Sequence, residues 1–71
     1  MNDADLYITV QKLQEYMDAN IKRNITLKEL AEQAGYSPWH TARIFKEITG
    51  KTPFEYLRSL RLTKAALFLR D

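Results

Sequence analysis

Trp39, Ala42, Arg43 and Lys46 recur at i, i+3, i+4 and i+7, a spacing that gathers four side chains on one stripe of a helix. These four types suit the reading of a nucleic-acid groove. An arginine can donate two parallel hydrogen bonds to the O6 and N7 of a guanine, and an indole or a methyl can lie against thymine methyls or sugar. A lysine one turn further on can reach a phosphate. A large exposed Trp between two cations is an association hazard on an idle surface. The alternative for Trp39 is partial burial against helix one or a cluster of aromatic contacts near Tyr36. His40 flanks the stripe, as a backbone contact or as a bystander. Ser37 stands at the start of the helix that carries the stripe and Lys51 beside the start of the next, where free backbone amides add further phosphate donors.

The opposite face of the same segment carries Thr41, Ile44, Phe45 and Ile48, so the element that positions the stripe is an amphipathic helix with a core side. Its start is marked by Ser37 as N-cap and Pro38 at the first helical position, and its end by Gly50. Upstream, Thr26 and Glu29 have the spacing of a capping box, and Ile25 and Leu30 that of a hydrophobic staple. This second helix, from Leu27 to about Ala34, ends at Gly35, leaving a turn of three residues before Pro38. Helices joined so tightly cross steeply, and the small Ala31 and Ala34 leave room for that, with Leu30, Tyr36 and Ile44 placed to fill the junction. The combination reads as a helix-turn-helix, with a generic helical hairpin as the plainer alternative.

Two further helices complete the expectation. Leu6, Val10, Leu13, Met17 and Ile21 step by four and three, predicting helix one over 4–21, capped by Asp3. Lys22-Arg23-Asn24 carries no periodicity and reads as a connecting loop. Thr52 and Glu55 repeat the capping-box spacing and launch helix four, 53–70, which shows no stop signal. That helix is apolar over two arcs. Tyr56, Leu57, Leu60, Leu67 and Phe68 form one, and Phe54, Leu62, Ala65 and Leu69 the other, so it wants two partners. Its distal end, from about Ala65, calls for a second domain or a second copy. The fold class is therefore all-α, a homeodomain-like bundle of about four helices with a long C-terminal linker helix, in a single domain spanning 1–71.

Composition narrows the function. The chain has 71 residues, a net charge of +2, no cysteine and one histidine. Residues 1–35 carry four basic and six acidic side chains, whereas residues 36–70 carry seven basic against Glu47 and Glu55, which suits a polyanionic partner lying on the second half. An ordinary solvated surface is the alternative on charge alone. Disulfides and thiolate metal sites are excluded, and no cofactor motif is present. The carboxylates Glu29, Glu32, Glu47 and Glu55 fall at caps or exposed positions, which leaves an enzyme without an inventory. The acidic N-terminus is unlike a secretion signal, and the longest apolar run is Ala65 to Leu69. The expectation is a cytoplasmic protein with no membrane association.

The block LKELAEQAGYSPWHTARIFKEITG and the downstream TPFEYLRSLRLTKAA, within residues 25–69, resemble the first half of the AraC/XylS family of bacterial transcription regulators. Tyr56, Leu57, Arg61 and Ala65 stand at family-like positions. The resemblance implies two helix-turn-helix units joined by a long linker helix and reading successive segments of the major groove of double-stranded DNA. It assigns base reading to Trp39, Ala42 and Arg43, beside backbone contacts from Ser37, His40, Lys46 and Lys51. It further implies a second helix-turn-helix subdomain as partner, with RNA polymerase as a further partner and activation as the commoner mode. Ala42 departs from the longer polar residue that members often carry there, and the second helix-turn-helix is absent from these residues. Because the unit starts next to Met1, the expectation is that any effector-sensing domain lies downstream or does not exist. The rival reading is a helical protein-interaction module that uses the Trp39 face and helix four.

Overall fold

The computed structural model describes residues 3–69, with side chains from 4 to 67. Four helices succeed one another, α1 (Asp3–Ala19), α2 (Leu27–Ala34), α3 (Pro38–Thr49) and α4 (Pro53–Leu69), and no strand occurs among the described residues. The all-α expectation holds, and α2 and α3 fall within the predicted bounds. Helix one stops at Ala19, short of the predicted Ile21. No glycine marks that end. Asn20 makes it instead, its backbone and side-chain amides both donating to the Tyr16 carbonyl at 3.1 and 2.8 Å. Asp3 is the first residue of α1 rather than the residue before it, and the predicted helix four end at Arg70 lies outside the described residues.

The core is a single cluster drawn from all four helices: Val10, Leu13 and Met17 of α1, Leu30 of α2, Ile44 and Phe45 of α3, Leu57 of α4, with Ile25 from the loop before α2. Phe45 meets Tyr56 edge to face at 5.3 Å between ring centroids, which fastens the start of α4 to α3. The one buried polar side chain among the described residues, Thr41, is satisfied by donating to the Ser37 carbonyl at 2.8 Å. Ala31 is buried at the α2–α3 junction and Ala34 and Tyr36 pack against the cluster, as the small-residue argument requires.

Local chemistry starts α2, α3 and α4 and stops α2 and α3. Thr26 Oγ1 accepts the Glu29 amide at 3.2 Å while Glu29 Oε1 accepts the Thr26 amide at 2.8 Å, a reciprocal box. Thr52 and Glu55 repeat it at 3.2 and 2.8 Å. Gly35 and Gly50 both adopt φ of +80°, a left-handed conformation that side chains with a Cβ resist, and each donates its amide back into the last turn at 2.8 Å.

The stretch that reads as a plain polar loop proves to be a junction. All five N–H groups of Arg23 are engaged. Nε donates to Asn20 Oδ1, Nη1 to the Asn24 carbonyl and Glu29 Oε1, and Nη2 to Glu29 Oε2 and the Tyr16 hydroxyl. The Tyr16 hydroxyl in turn donates to Glu29 Oε2 at 2.6 Å. From the far side, Arg61 of α4 donates to the carbonyls of Ile21 at 3.1 Å and Arg23 at 2.9 Å, and Lys64 pairs with Asp18 at 2.8 Å. Part of the basic charge of the second half is thus turned onto the first half of the chain rather than outward.

Beyond these ties α4 has nothing to lie on. Pro53 and Leu57 are buried and Leu60 is partly so, but Leu62 is 64% exposed and Leu67 61%. Leu67 faces solvent although it shares an arc with Leu57 and Leu60, as the expectation of an uncovered distal end from about Ala65 requires, because the body of the molecule ends at the level of Lys64 and Asp18. Exposure also begins earlier than the expected Ala65.

Two outcomes are expected for stability. The Glu29 carboxyl is held down from 4.5 to about 2 by hydrogen bonds from Arg23, then Tyr16 and the Thr26 amide. Because its folded pKa is lowered, its stabilising contribution is complete above about pH 5 and is lost as pH falls from 4.5 toward 2. Melting temperature measured against pH should fall across that window, and Glu29→Gln should lower the plateau and flatten the fall, leaving a remnant from Glu55, whose carboxyl is lowered by its own Thr52 cap. Arg61→Ala should destabilise the chain by about 1–2 kcal/mol in urea denaturation, with Arg61→Lys recovering only part, since an ammonium lacks the planar fork that spans two carbonyls.

Candidate nucleic-acid interface

The geometry of the candidate face is set by how α3 is held. Thr41, Ile44 and Phe45 are buried and Ile48 is partly buried, which fixes the rotation of α3 about its axis and turns the opposite stripe to solvent. The Ser37 hydroxyl accepts the His40 amide at 3.2 Å, so Ser37 caps the helix from the edge of that stripe.

Trp39 is 66% exposed, and its neighbours are the side chains of α3 itself rather than helix one. The guanidinium carbon of Arg43 lies 5.3 Å from the centre of the indole, within cation–π range. His40 is exposed, with its ring 5.9 Å from that of Tyr36 and 5.8 Å from that of Trp39. Trp39, Ala42, Arg43 and Lys46 together line one shallow open groove of about 460 Å³, with Glu47 and Thr52 also in its lining. Ala42 is its half-buried floor, while Arg43 and Lys46 stand exposed at its sides.

Two predicted contacts stand apart from this groove. His40 lines a neighbouring concavity of about 410 Å³ with Leu6, Tyr36, Ile44, Arg43 and Glu47. Lys51 lies beyond the end of α3, its Nζ donating to Ser59 Oγ at 3.1 Å, and borders a different hollow with Tyr7, Gln14 and Tyr56. The structure therefore brings four of the seven predicted residues onto one surface, places Ser37 and His40 along its margin, and sets Lys51 on another side.

One further residue belongs to this face, although its sequence position marks it only as exposed. Glu47 accepts a hydrogen bond from Arg43 Nε at 3.1 Å. The signal for it is present in the sequence as the i,i+4 spacing of the two residues. Among the described residues no cluster of histidine, cysteine and carboxylates could hold a metal ion, and no helix is long and apolar enough to cross a membrane.

Residues 30–71 match the helix-turn-helix domain family. The chain is 39% identical over 70 residues to the transposon Tn10 TetD protein of Escherichia coli, covering 97% of this chain and 51% of that protein. It is 33% identical over 64 residues to the multiple antibiotic resistance protein MarA of Escherichia coli K12, covering 90% and 50%. With the right origin-binding protein of the same organism it shares 36% identity over 61 residues, covering 86% of this chain and 21% of that protein. The chain thus spans about half the length of the first two relatives. No solved structure matches it. The helix-turn-helix geometry, the family match and these relatives agree: the chain belongs to the AraC/XylS family, a family of transcription regulators and not of enzymes.

Proposed function

We propose that residues 1–71 form one helix-turn-helix subdomain of a bacterial AraC-type regulator and bind double-stranded DNA by laying α3 in the major groove. The observation that carries this reading is the exposed Trp39 with Arg43 stacked over it, on the face of α3 opposite buried Thr41, Ile44 and Phe45. An indole and a guanidinium held together in solvent are a preformed apolar and cationic edge of the kind a base-pair edge accepts. Trp39, Ala42 and Arg43 are the base-reading residues in this proposal. Ala42 supplies only a methyl, so its role is to admit a thymine methyl or a close sugar.

Ser37, His40, Lys46 and Lys51 position the helix on the backbone. The Ser37 hydroxyl accepts from the His40 amide and keeps its own proton to donate to a phosphate, beside the free amides of the α3 N-terminus. Lys46 stands at the groove edge, and Lys51, set on another side beside the start of α4, is assigned to a backbone phosphate flanking the segment that α3 reads, for which it exchanges its bond to Ser59.

The remainder of the regulator is assigned on the same footing. The outward Leu62 and Leu67 of α4, and relatives twice as long as this chain, support α4 as a linker to a second helix-turn-helix subdomain. We assign the whole protein to the bacterial cytoplasm as an activator that works with RNA polymerase, which is what the family resemblance implies. One subdomain alone covers roughly 600–1,000 Å² of interface, so this unit by itself binds weakly.

Binding of labelled duplexes, selected from a random pool and compared with random sequence, tests the reading. Arg43→Ala should cost about 1–3 kcal/mol on the selected duplex and much less on random DNA. Lys46→Ala should weaken both alike and reduce the slope of affinity against salt by about one. A binding surface for a protein helix would instead show little salt dependence, and that result would replace DNA with a protein partner.

A further inference from the structure

Glu47 is the single acid on α3, and no stability argument accounts for it there. It sits in the last turn, where the helix dipole disfavours negative charge. It comes after Arg43 rather than before it, the weaker order for an i,i+4 pair. With both side chains about 60% exposed, at 59% and 60%, the pair contributes little to the fold. On a face that meets a polyanion, the carboxylate opposes binding as well.

We infer that Glu47 is a positioning residue that makes Arg43 selective for guanine, an inference that rests on the proposed reading of DNA by α3. The guanidinium is pinned from two sides, by the Trp39 ring 5.3 Å from its central carbon and by Glu47 Oε1 3.1 Å from Nε. The Nε–H given to Glu47 is not one that an end-on contact to guanine O6 and N7 requires, because that contact uses Nη1 and Nη2. Arg43 can therefore read guanine without leaving either support. A phosphate contact has the opposite consequence. A phosphate lies at the backbone rather than in the groove, so reaching one takes Arg43 away from the position in which Trp39 and Glu47 hold it and leaves the Glu47 carboxylate unpaired beside the phosphates. Guanine in the groove keeps the ion pair, whereas a docking that takes Arg43 to the backbone sets a bare negative charge against it.

The device trades affinity for discrimination, which gives it a signature that neither a packing role nor an idle surface charge shares. The test uses the full protein and duplexes selected from a random pool. The guanine of interest is the one whose replacement weakens wild type but leaves Arg43→Ala unchanged. Glu47→Ala should tighten binding to random duplex severalfold and shrink the discrimination against replacing that guanine by about tenfold. Glu47→Gln keeps an acceptor oxygen without the charge, and should tighten random binding similarly while retaining more of the discrimination. In an Arg43→Ala background, Glu47→Ala should leave the discrimination unmoved. An equal change on both duplexes, with the ratio preserved, overturns the inference and makes Glu47 an ordinary surface charge. Absence of salt-dependent duplex binding by the wild type would instead overturn the DNA reading on which the inference rests. Unchanged melting of both variants keeps the comparison free of folding effects.

Discussion

The carboxylate of Glu29 is where three parts of the molecule are joined. It closes the N-terminus of α2 by accepting the Thr26 amide, it holds the Tyr16 hydroxyl of α1, and it grips Arg23 of the intervening turn. Arg23 in turn lends its carbonyl to Arg61 of α4. An isolated ion pair at a surface is weak, but here a side chain 22% exposed accepts from a backbone amide, a phenol and a guanidinium at once. Removing any one donor leaves the others oriented. Removing the carboxylate frees the start of α2, and with it the angle at which α2 presents the turn into α3.

That turn has little freedom of its own. Gly35 occupies the left-handed region, Ser37 caps α3, and Pro38 enters that helix with φ already set. Three residues then suffice to reverse from α2 into α3, and the burial of Leu30, Ala31, Ile44 and Phe45 locks the crossing. The consequence for the site is one of rotation. A helix with its core face seated on a cluster this small cannot roll without exposing Phe45, so the stripe bearing Trp39 and Arg43 has one orientation. The candidate face is stiff because the core behind it is.

Legibility in the sequence divides by range. The two capping boxes, the two glycine stops, the Ser-Pro start and the opposed faces of α3 are each decided within a turn or two of helix, and each is readable from spacing alone. The end of α1 is not, because Asn20 does there what a glycine does elsewhere, without a glycine's signature. The joints that spacing does not reveal connect distant parts of the chain: Arg61 to the carbonyls of Ile21 and Arg23, and Lys64 to Asp18. Charge counting therefore assigns to a polyanion two cations that serve the fold. On α3 the four groove residues are legible from period and type. Lys51 is not separable from them, because nothing in its spacing reveals the bond to Ser59 or its place beyond the helix end.

The same long-range ties divide α4 into two halves with different mechanical roles. Up to about Lys64 it belongs to the body, held by Leu57 in the core, by the Tyr56–Phe45 ring contact, by the Arg61 hook and by the Lys64–Asp18 pair. Beyond that point Leu67 faces solvent, and a helix continues where no other part of the described chain supports it. A single stiff element that is rigid with α3 at one end and apolar at the other transmits orientation. Whatever packs on Leu62 and Leu67 is placed at a distance and rotation set by the polar hook on the α1–α2 turn rather than by a flexible connection. In a protein that reads two segments of one groove, the spacing between them would then be written in Arg61 and the backbone carbonyls it holds, far from any side chain that touches a base.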